Sequence, residues 1–240
     1  MRVIAAPSPN FDARTAPPDM IVLHYTGMAT GAAALARLTD PAARVSAHYL
    51  VEEDGRVFSL VDEARRAWHA GVSSWRGRTD TNARSIGVEV VNPGHEFGYR
   101  PFPPAQIEAL IALLDDIRGR WTIEDGLILG HADVAPRRKE DPGELFPWRE
   151  LAAAGHGWWV EPTPAPGAPL QPVEEGLAVL ALRGGLGRLG YDVVPRGPYD
   201  EDLALIVTAF QRHWVQSRFD GIADGDTRAR LMALVRLGGQ

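Results

Sequence analysis

The chain has 240 residues, of which 45% are hydrophobic and 23% charged, and its formal net charge is −6 at pH 7. These values are typical of a soluble globular protein, and the length allows one large domain or two smaller ones. The acidic balance argues against nucleic acid as a partner, because binding to phosphates needs a concentrated basic surface. The sequence contains no cysteine, which excludes disulfides and thiolate metal ligands.

Long apolar runs are missing from the sequence. The N-terminal stretch "MRVIAAPSPNFDARTAPPDM" has only a short apolar patch from Val3 to Pro7, which is less than a secretory signal needs. No window approaches the roughly 18 consecutive apolar residues of a membrane span. We therefore expect a cytoplasmic protein with no membrane span. A periplasmic location is the alternative if the N-terminus has been processed or recloned.

Strand-like and helix-like segments alternate along the first two-thirds of the chain. The predicted elements, in order, are a buried strand "MIVLHYT" (20–26), a helix "TGAAALARLTDP" (30–41) capped by Thr30, a hairpin "VSAHYLVEEDGRVFSLV" (45–61) turning at Asp54-Gly55, a buried strand "SIGVEVVN" (85–92), a helix "PAQIEALIALLDDIRGRW" with one apolar stripe, and a core strand "LILG" (127–130). Their patterns follow the helical and strand periods. The sequence thus predicts an α/β fold with a mixed sheet and flanking helices.

A proline-rich stretch, "GWWVEPTPAPGAPLQPV" (157–173), marks the clearest boundary. Prolines favour an extended, semi-rigid spacer. We predict an N-terminal domain (1–157), a linker (158–173) and a small all-α domain (174–240). In the last part, "GPYDEDLALIVTAFQRHW" has a helical apolar stripe, whereas "RGGLGRLGY" contains more glycine than a helix favours. The length of the first C-terminal helix is therefore left open.

Two histidines and an aspartate suggest a metal site. His24 and His131 stand at the carboxyl ends of predicted strands, where α/β folds gather ligand-binding groups. Either histidine alone is more typical of a structural side chain. Together with Asp141, however, they form the three-ligand set of a catalytic zinc, which leaves a fourth position open. A structural zinc would need four protein ligands, so we predict one catalytic Zn2+ per chain.

Glu89 and Lys139 are charged residues in unusual places. Glu89 lies on a predicted buried strand, where a carboxylate is costly unless it is paired or lies near a cation. It is either an ion-pair partner of Arg84 or a general base, and Gly87 beside it allows a close approach. Lys139 precedes Asp141 by two residues, so both point the same way on an extended segment. Lys139 is either a cation that stabilises an oxyanion or one more solvated charge on the surface.

The remaining histidines are weaker candidates. His48 in "AHYLV" and His69 in "WHAG" either line a substrate groove or pack against their own hairpins. His95 is expected to face solvent, while His156 borders the linker and His213 lies in the C-terminal domain. None of these five adds a further metal ligand.

Five motifs, in this order, resemble one known family: "IVLHYT", "VSAHYLVEEDG", "WHAG", "NARSIGVEVVN" and "GHADVAPRRKEDPG". Over about residues 18–150 the chain resembles the zinc-dependent N-acetylmuramoyl-L-alanine amidases of the AmpD/AmiD type, which share a fold with a phage lysozyme and the peptidoglycan recognition proteins. The resemblance implies the following site residues: His24, His131 and Asp141 as zinc ligands, and Glu89 and Lys139 as catalytic residues. We further predict His48, His69 and Asn82 as substrate-binding residues.

The resemblance implies hydrolysis of the amide between N-acetylmuramic or 1,6-anhydro-N-acetylmuramic acid and L-alanine of peptidoglycan stem peptides. Its partners would be peptidoglycan fragments or anhydro-muropeptides, handled during cell-wall recycling. "LGRLGYDV" and "FDGIADGDTRARLMAL" resemble a helical peptidoglycan-binding module, which favours intact wall as substrate instead. The alternatives are a peptidoglycan-binding or sensing protein without turnover, and a serine hydrolase using Ser46 or Ser85 with His48. The latter lacks a G-x-S-x-G elbow.

Overall fold

The structure is a computed structural model that describes residues 2–239. Within these residues the strands form a six-stranded mixed sheet and a separate two-stranded antiparallel sheet. The mixed sheet flanked by helices confirms the predicted fold class. The strands are β1 (Val3–Ala5), β2 (Phe11–Ala13), β3 (Met20–Tyr25), β4 (Tyr49–Val51), β5 (Val57–Ser59), β6 (Arg65–Ala67), β7 (Ser85–Val90) and β8 (Ile128–Gly130).

Helices cover the sheet and make up the C-terminal region. They are α1 (Gly31–Thr39), α2 (Thr81–Arg84), α3 (Gly94–Phe97), α4 (Pro104–Arg120), α5 (His131–Val134), α6 (Trp148–Ala153), α7 (Leu177–Leu189), α8 (Glu201–Trp214) and α9 (Gly225–Leu237). Two short 3₁₀ turns, Pro41–Ala43 and Asp125–Leu127, complete the regular structure. None of the helices in residues 2–239 has both the length and the apolar character needed to cross a bilayer.

The large sheet is centred on two parallel strands. Its order is β1-β5-β4-β7-β3-β8, and β3 lies between β7 and β8, parallel to both. β3 and β7 pair along six residues, from Met20 opposite Ser85 to Tyr25 opposite Val90. Both strands are buried along nearly their whole length, and their apolar sequences fit strands that are covered on both faces. Their carboxyl ends open at the same edge of the sheet.

Most predicted elements appear with shifted ends. Thr30 caps α1 by accepting a hydrogen bond from the backbone N–H of Ala33. The predicted hairpin is present as β4 and β5, which are antiparallel, and Gly55 in its turn has a φ of +85°. In α4 the buried apolar stripe consists of Ile107, Leu110, Leu113, Leu114 and Ile117, and the half-buried Ile111 packs against it. Gln106, in the first turn of α4, donates to the carbonyls of Val51 and Val91 and ties α4 to β4 and β7.

The chain between α6 and α7 contains no helix or strand in the described structure, apart from a single bridge between Leu170 and Ala223. The glycine-rich α7 is nevertheless a continuous helix. A Cβ on Gly185 would lie 2.9 Å from a methyl carbon of Leu231, so this glycine lets α7 and α9 approach closely. The buried side chains of α7, α8 and α9 continue the core of the sheet region.

Candidate metal centre and active site

Three predicted ligands converge at the open edge of the sheet. The Nδ1 atoms of His24 and His131 are 3.0 Å apart, and each lies 3.1 Å from Oδ2 of Asp141. All three side chains are buried. His24 lies near the end of β3, and His131 begins α5 directly after the neighbouring β8. The loop that carries Asp141 is tied back by a 2.9 Å hydrogen bond from the N–H of Ala132 to the carbonyl of Asp141.

In each imidazole of the cluster, the hydrogen bond of the ring nitrogen that faces away from the cluster determines the tautomer. Nε2 of His131 lies 3.0 Å from the carbonyl of Ala70, which only accepts. Nη2 of Arg138 is 3.3 Å from the same nitrogen but donates to the Ala70 carbonyl, so Nε2 carries the proton and Nδ1 has the lone pair. The hydroxyl of Ser85 donates to the Thr81 carbonyl at 2.7 Å and can therefore accept from Nε2 of His69, 3.1 Å away.

His24 takes its tautomer from His69. Because Nε2 of His69 carries the proton, its Nδ1 accepts from Nε2 of His24, 3.0 Å away. The lone pair of His24 is therefore also on Nδ1, facing His131 and Asp141. Two lone pairs and a carboxylate at contact distance repel one another unless a cation lies among them. Metal-binding histidines have this second hydrogen bond as a rule, and two nitrogens with one carboxylate oxygen suit zinc with an open fourth position.

The protonation states of the cluster also suit a metal. Burial, followed by the neighbouring His131, lowers the pKa of His24 to about 4. At neutral pH the imidazole of His24 is thus neutral, as metal ligation requires.

Glu89 lies beside the cluster, opposite His24 in the register of β3 and β7. Its Oε2 is buried and has no hydrogen-bond partner among residues 2–239. Burial, followed by the negative charge of Asp141, raises the pKa of Glu89 to about 8. Arg84, the alternative partner, instead forms an ion pair with Asp19 at 2.7 Å. Glu89 is thus an unpaired carboxyl with a pKa suited to proton transfer near neutrality.

A cavity of about 420 Å³ joins these groups. It is lined by the cluster, by Glu89 and by Lys139, so all five predicted ligand and catalytic residues meet there. Lys139 is also the only lysine in the full sequence, in which the other permanently charged cations are arginines. A single lysine among arginines is a sequence signal that the motifs did not use. It is informative because an ammonium is a compact point charge that arginine does not reproduce.

The three residues predicted to bind substrate lie in different places. His69 lines the cavity and contacts His24. His48 is fully buried, and its Nδ1 accepts from the N–H of Gly87 at 2.9 Å. Asn82 is buried too, and its Oδ1 accepts from the N–H groups of His69 and Ala70. Since neither His48 nor Asn82 lines the cavity, this structure places both behind the site, in supporting positions.

Gly87 explains how His69 reaches its place. A Cβ at Gly87 would collide with the imidazole of His69, so the missing side chain makes room for that ring against β7. This is the close approach expected of the glycine beside Glu89. The serine-hydrolase alternative fails on burial, because Ser85 is fully buried and Ser46 donates to the backbone of Asn10.

Three comparisons place the chain among known proteins. The profile of the Amidase_2 family, N-acetylmuramoyl-L-alanine amidase, matches residues 14–144. N-acetylmuramoyl-L-alanine amidase AmiD of Escherichia coli is 41% identical over 238 residues, covering 92% of this chain and 83% of that protein. 1,6-anhydro-N-acetylmuramyl-L-alanine amidase AmpD of Enterobacter cloacae is 34% identical over 166 residues, covering 61% of this chain and 87% of that protein.

A solved structure matches nearly the whole chain. The complex of E. coli AmiD with the substrate anhydro-N-acetylmuramic acid-L-Ala-D-gamma-Glu-L-Lys has a TM-score of 0.80 and 40% sequence identity, and the match covers 95% of this chain and 93% of that one. Fold and matches agree on one class of protein, an amidase with its reactive groups at the carboxyl edge of a mixed sheet. The chain belongs to the N-acetylmuramoyl-L-alanine amidase family and is an enzyme of that activity. The predicted family and enzyme class are confirmed, and a binding protein without turnover is set aside.

Proposed function

We propose that the enzyme uses one zinc ion, held by His24, His131 and Asp141, to hydrolyse the amide between the lactyl group of N-acetylmuramic or 1,6-anhydro-N-acetylmuramic acid and L-alanine. The observation that carries the proposal is the cluster of two imidazole lone pairs and a carboxylate within 3.1 Å. When bound there, zinc would act as a Lewis acid on the amide carbonyl and lower the pKa of a coordinated water to about 7.

Glu89 is the general base in this proposal. Its carboxylate accepts a proton from the attacking water, whose oxygen forms a bond to the lactyl carbonyl carbon. When the carbon–nitrogen bond breaks, Glu89 passes the proton to the departing nitrogen of L-alanine, which leaves as a free amine. The support is its unpaired, buried Oε2 and its place in the cavity beside the cluster. Proton transfer of this kind is typically worth about 100- to 10,000-fold in rate.

Lys139 stabilises the negative charge that develops on the carbonyl oxygen as water adds. Its place on the cavity wall beside Asp141 supports this role. His69 orients His24 through the bond between their ring nitrogens and stands at the cavity wall, where it also meets substrate. His48 and Asn82 hold the backbone behind His69, which makes them supporting residues in this proposal.

The substrate form that we propose is a soluble anhydro-muropeptide, cleaved during peptidoglycan recycling in the cytoplasm. It is supported by likeness to an amidase named for the anhydro sugar and to an AmiD complex that holds an anhydro-muramyl peptide. Intact wall is the second candidate, favoured by the resemblance of the C-terminal helices to a peptidoglycan-binding module. Peptidoglycan binding by those helices stays a prediction, tested by pull-down of the chain with purified sacculi.

The test is release of peptide from a purified anhydro-muramyl tripeptide, followed by chromatography with and without a chelator, alongside metal analysis. We expect cleavage at the lactyl amide, loss of cleavage on chelation, recovery on adding zinc, and one zinc per chain. Intact sacculi digested in parallel report the preferred substrate. Undiminished cleavage in a metal-free preparation would rule out the zinc mechanism, and faster release from sacculi would overturn the recycling assignment.

A further inference from the structure

Asp133 is a buried carboxylate close to the metal cluster that takes no part in the proposed chemistry. It lies on α5, two residues after His131, and is 1% exposed. Its Oδ2 accepts from the N–H of Gly130 at 2.7 Å and from Nδ1 of His213 at 2.7 Å. Its Oδ1 accepts from the hydroxyl of Tyr191, also at 2.7 Å. A buried charge needs such partners.

Two of these three donors come from the C-terminal helices. Tyr191 follows α7, and His213 belongs to the last turn of α8. Both rings are fixed by aromatic neighbours of the N-terminal region. His213 stacks on Trp148 with ring centroids 3.7 Å apart, and Tyr191 meets Trp75 edge to face at 5.0 Å. The two donors are therefore held rigidly against Asp133.

The orientation of α5 decides where His131 points. A helix of four residues has almost no stability of its own, so side-chain contacts must hold it. Asp133 anchors it to the end of β8 through Gly130, and the N–H of Ala132 anchors it to Asp141. Without the hydrogen bonds from Tyr191 and His213, the carboxylate of Asp133 would rotate towards water. Helix α5, which carries His131, would then move with it.

The same two regions meet again along the loop after α5. Arg212 in α8 forms an ion pair with Glu140 at 3.1 Å, next to Asp141. The side chain of Gln216 donates to the carbonyls of Glu144 and Phe146. The C-terminal helices therefore hold both ends of the segment that carries His131 and Asp141.

We propose that Tyr191 and His213 are positioning residues of the amidase: through Asp133 they fix α5, so that the C-terminal helices complete the metal site. The inference rests on the proposed role of His131 and Asp141 as metal ligands. It gives the C-terminal helices a function in the chemistry that is separate from any binding of the cell wall.

The first test compares Tyr191→Phe with Tyr199→Phe in the full-length chain. Tyr199 is the matched control: its buried hydroxyl donates to the carbonyl of Gly221, within the C-terminal region. Both changes remove one buried phenol hydroxyl, so similar losses of Tm are expected. Zinc affinity, measured by competition with a chromogenic chelator, should fall about tenfold in Tyr191→Phe only. This is the lower end of the range for residues that bond a ligand directly, because Tyr191 acts one step further away, through Asp133.

The second test uses His213. His213→Phe keeps a ring stacked on Trp148 but removes the donor, so zinc affinity should fall about tenfold. His213→Asn places an amide N–H near the position of Nδ1, so it should recover most of that affinity. At saturating zinc, kcat should fall more than KM rises in Tyr191→Phe, because a misplaced metal affects the reaction rather than substrate capture.

Two results would overturn the proposal: wild-type zinc affinity in both Tyr191→Phe and His213→Phe, or an equal loss of affinity in Tyr199→Phe. The unmodified protein separates this from the proposed function. If the wild-type chain takes up no zinc, the metal assignment itself fails. If it binds zinc tightly and the variants do too, only the positioning role is lost.

Discussion

The two sides of the site are held in place by different means. His24 and Glu89 stand opposite one another on parallel strands that pair along six residues. His131, Lys139 and Asp141 lie on a four-residue helix and an irregular loop. The strand side is positioned by a backbone ladder, whereas the loop side depends on individual contacts, several of them with the C-terminal helices. Substitutions that remove the contacts holding the loop should therefore weaken metal binding, whereas replacing Glu89 on its strand should leave the metal bound.

Asp141→Ala should have the largest effect. It removes one of three ligands and leaves two imidazole nitrogens, too few to hold a catalytic zinc against dilution. We expect metal analysis after dialysis to find no zinc above background, and peptide release to fall to the uncatalysed level. Asp54→Ala is the matched control, since it makes the same substitution at an exposed carboxylate that pairs with Arg56. Zinc retained in Asp141→Ala would remove this residue from the ligand set.

Glu89→Gln should keep the metal and lose the reaction. The amide has the same shape as the carboxyl but cannot accept the proton of the attacking water. We expect kcat to fall about 100- to 10,000-fold with about one zinc still bound per chain. Tm should not fall, because a buried, unpaired carboxyl is replaced by a neutral group. A variant with near wild-type kcat would show that another group is the base.

Lys139→Ala should slow the reaction about 100- to 1000-fold, the usual cost of losing one oxyanion donor. Zinc content should be near normal, because Lys139 is not a ligand. Because Lys139 is the only lysine, an amine-acylating reagent can react only there and at the chain's amino terminus. Acylation should inactivate the wild type, and bound muropeptide should protect it. Full activity after complete acylation would contradict the role.

Gly87→Ala should have the smallest effect, on stability and on the placement of His69. The new Cβ collides with the imidazole of His69, and overpacking of this kind costs about 1–3 kcal/mol. The control is Gly119→Ala, on the exposed surface of α4 with nothing near the new Cβ, where a gain of about 0.4–1 kcal/mol is expected. Chemical denaturation measures both. Equal stability of the two variants would mean that His69 has room to move.

The ligand and catalytic residues on both sides could be proposed from the sequence, but the contacts that hold the loop side could not. Polar residues on otherwise apolar strands identified His24 and Glu89, because a buried charge needs a reason. By contrast, Asp133 depends on Tyr191 and His213, which lie 58 and 80 positions further along the chain. No local pattern shows such a partner. The one local signal was an aspartate three residues after Gly130, a position where a carboxylate caps a backbone N–H.

The same limit explains the residues predicted to bind substrate. His48 and His69 occur in similar aromatic surroundings in the sequence, yet only His69 lines the cavity. Which of two neighbouring imidazoles faces a cavity is decided by packing, here by the space that Gly87 leaves on β7. The sequence motifs indicated the right region of the chain, but only the tertiary packing determines which of the two side chains faces the cavity.

The most direct test of the account is an X-ray absorption spectrum of the purified full-length chain loaded with one equivalent of zinc. We predict a four-coordinate zinc with two imidazole nitrogens and carboxylate or water oxygens at about 2.0–2.2 Å. The imidazole signal should be absent from His131→Ala, which keeps only two of the three ligands. A six-coordinate, all-oxygen zinc in the wild type, unchanged by that substitution, would contradict a metal centre shared between the strands and the loop.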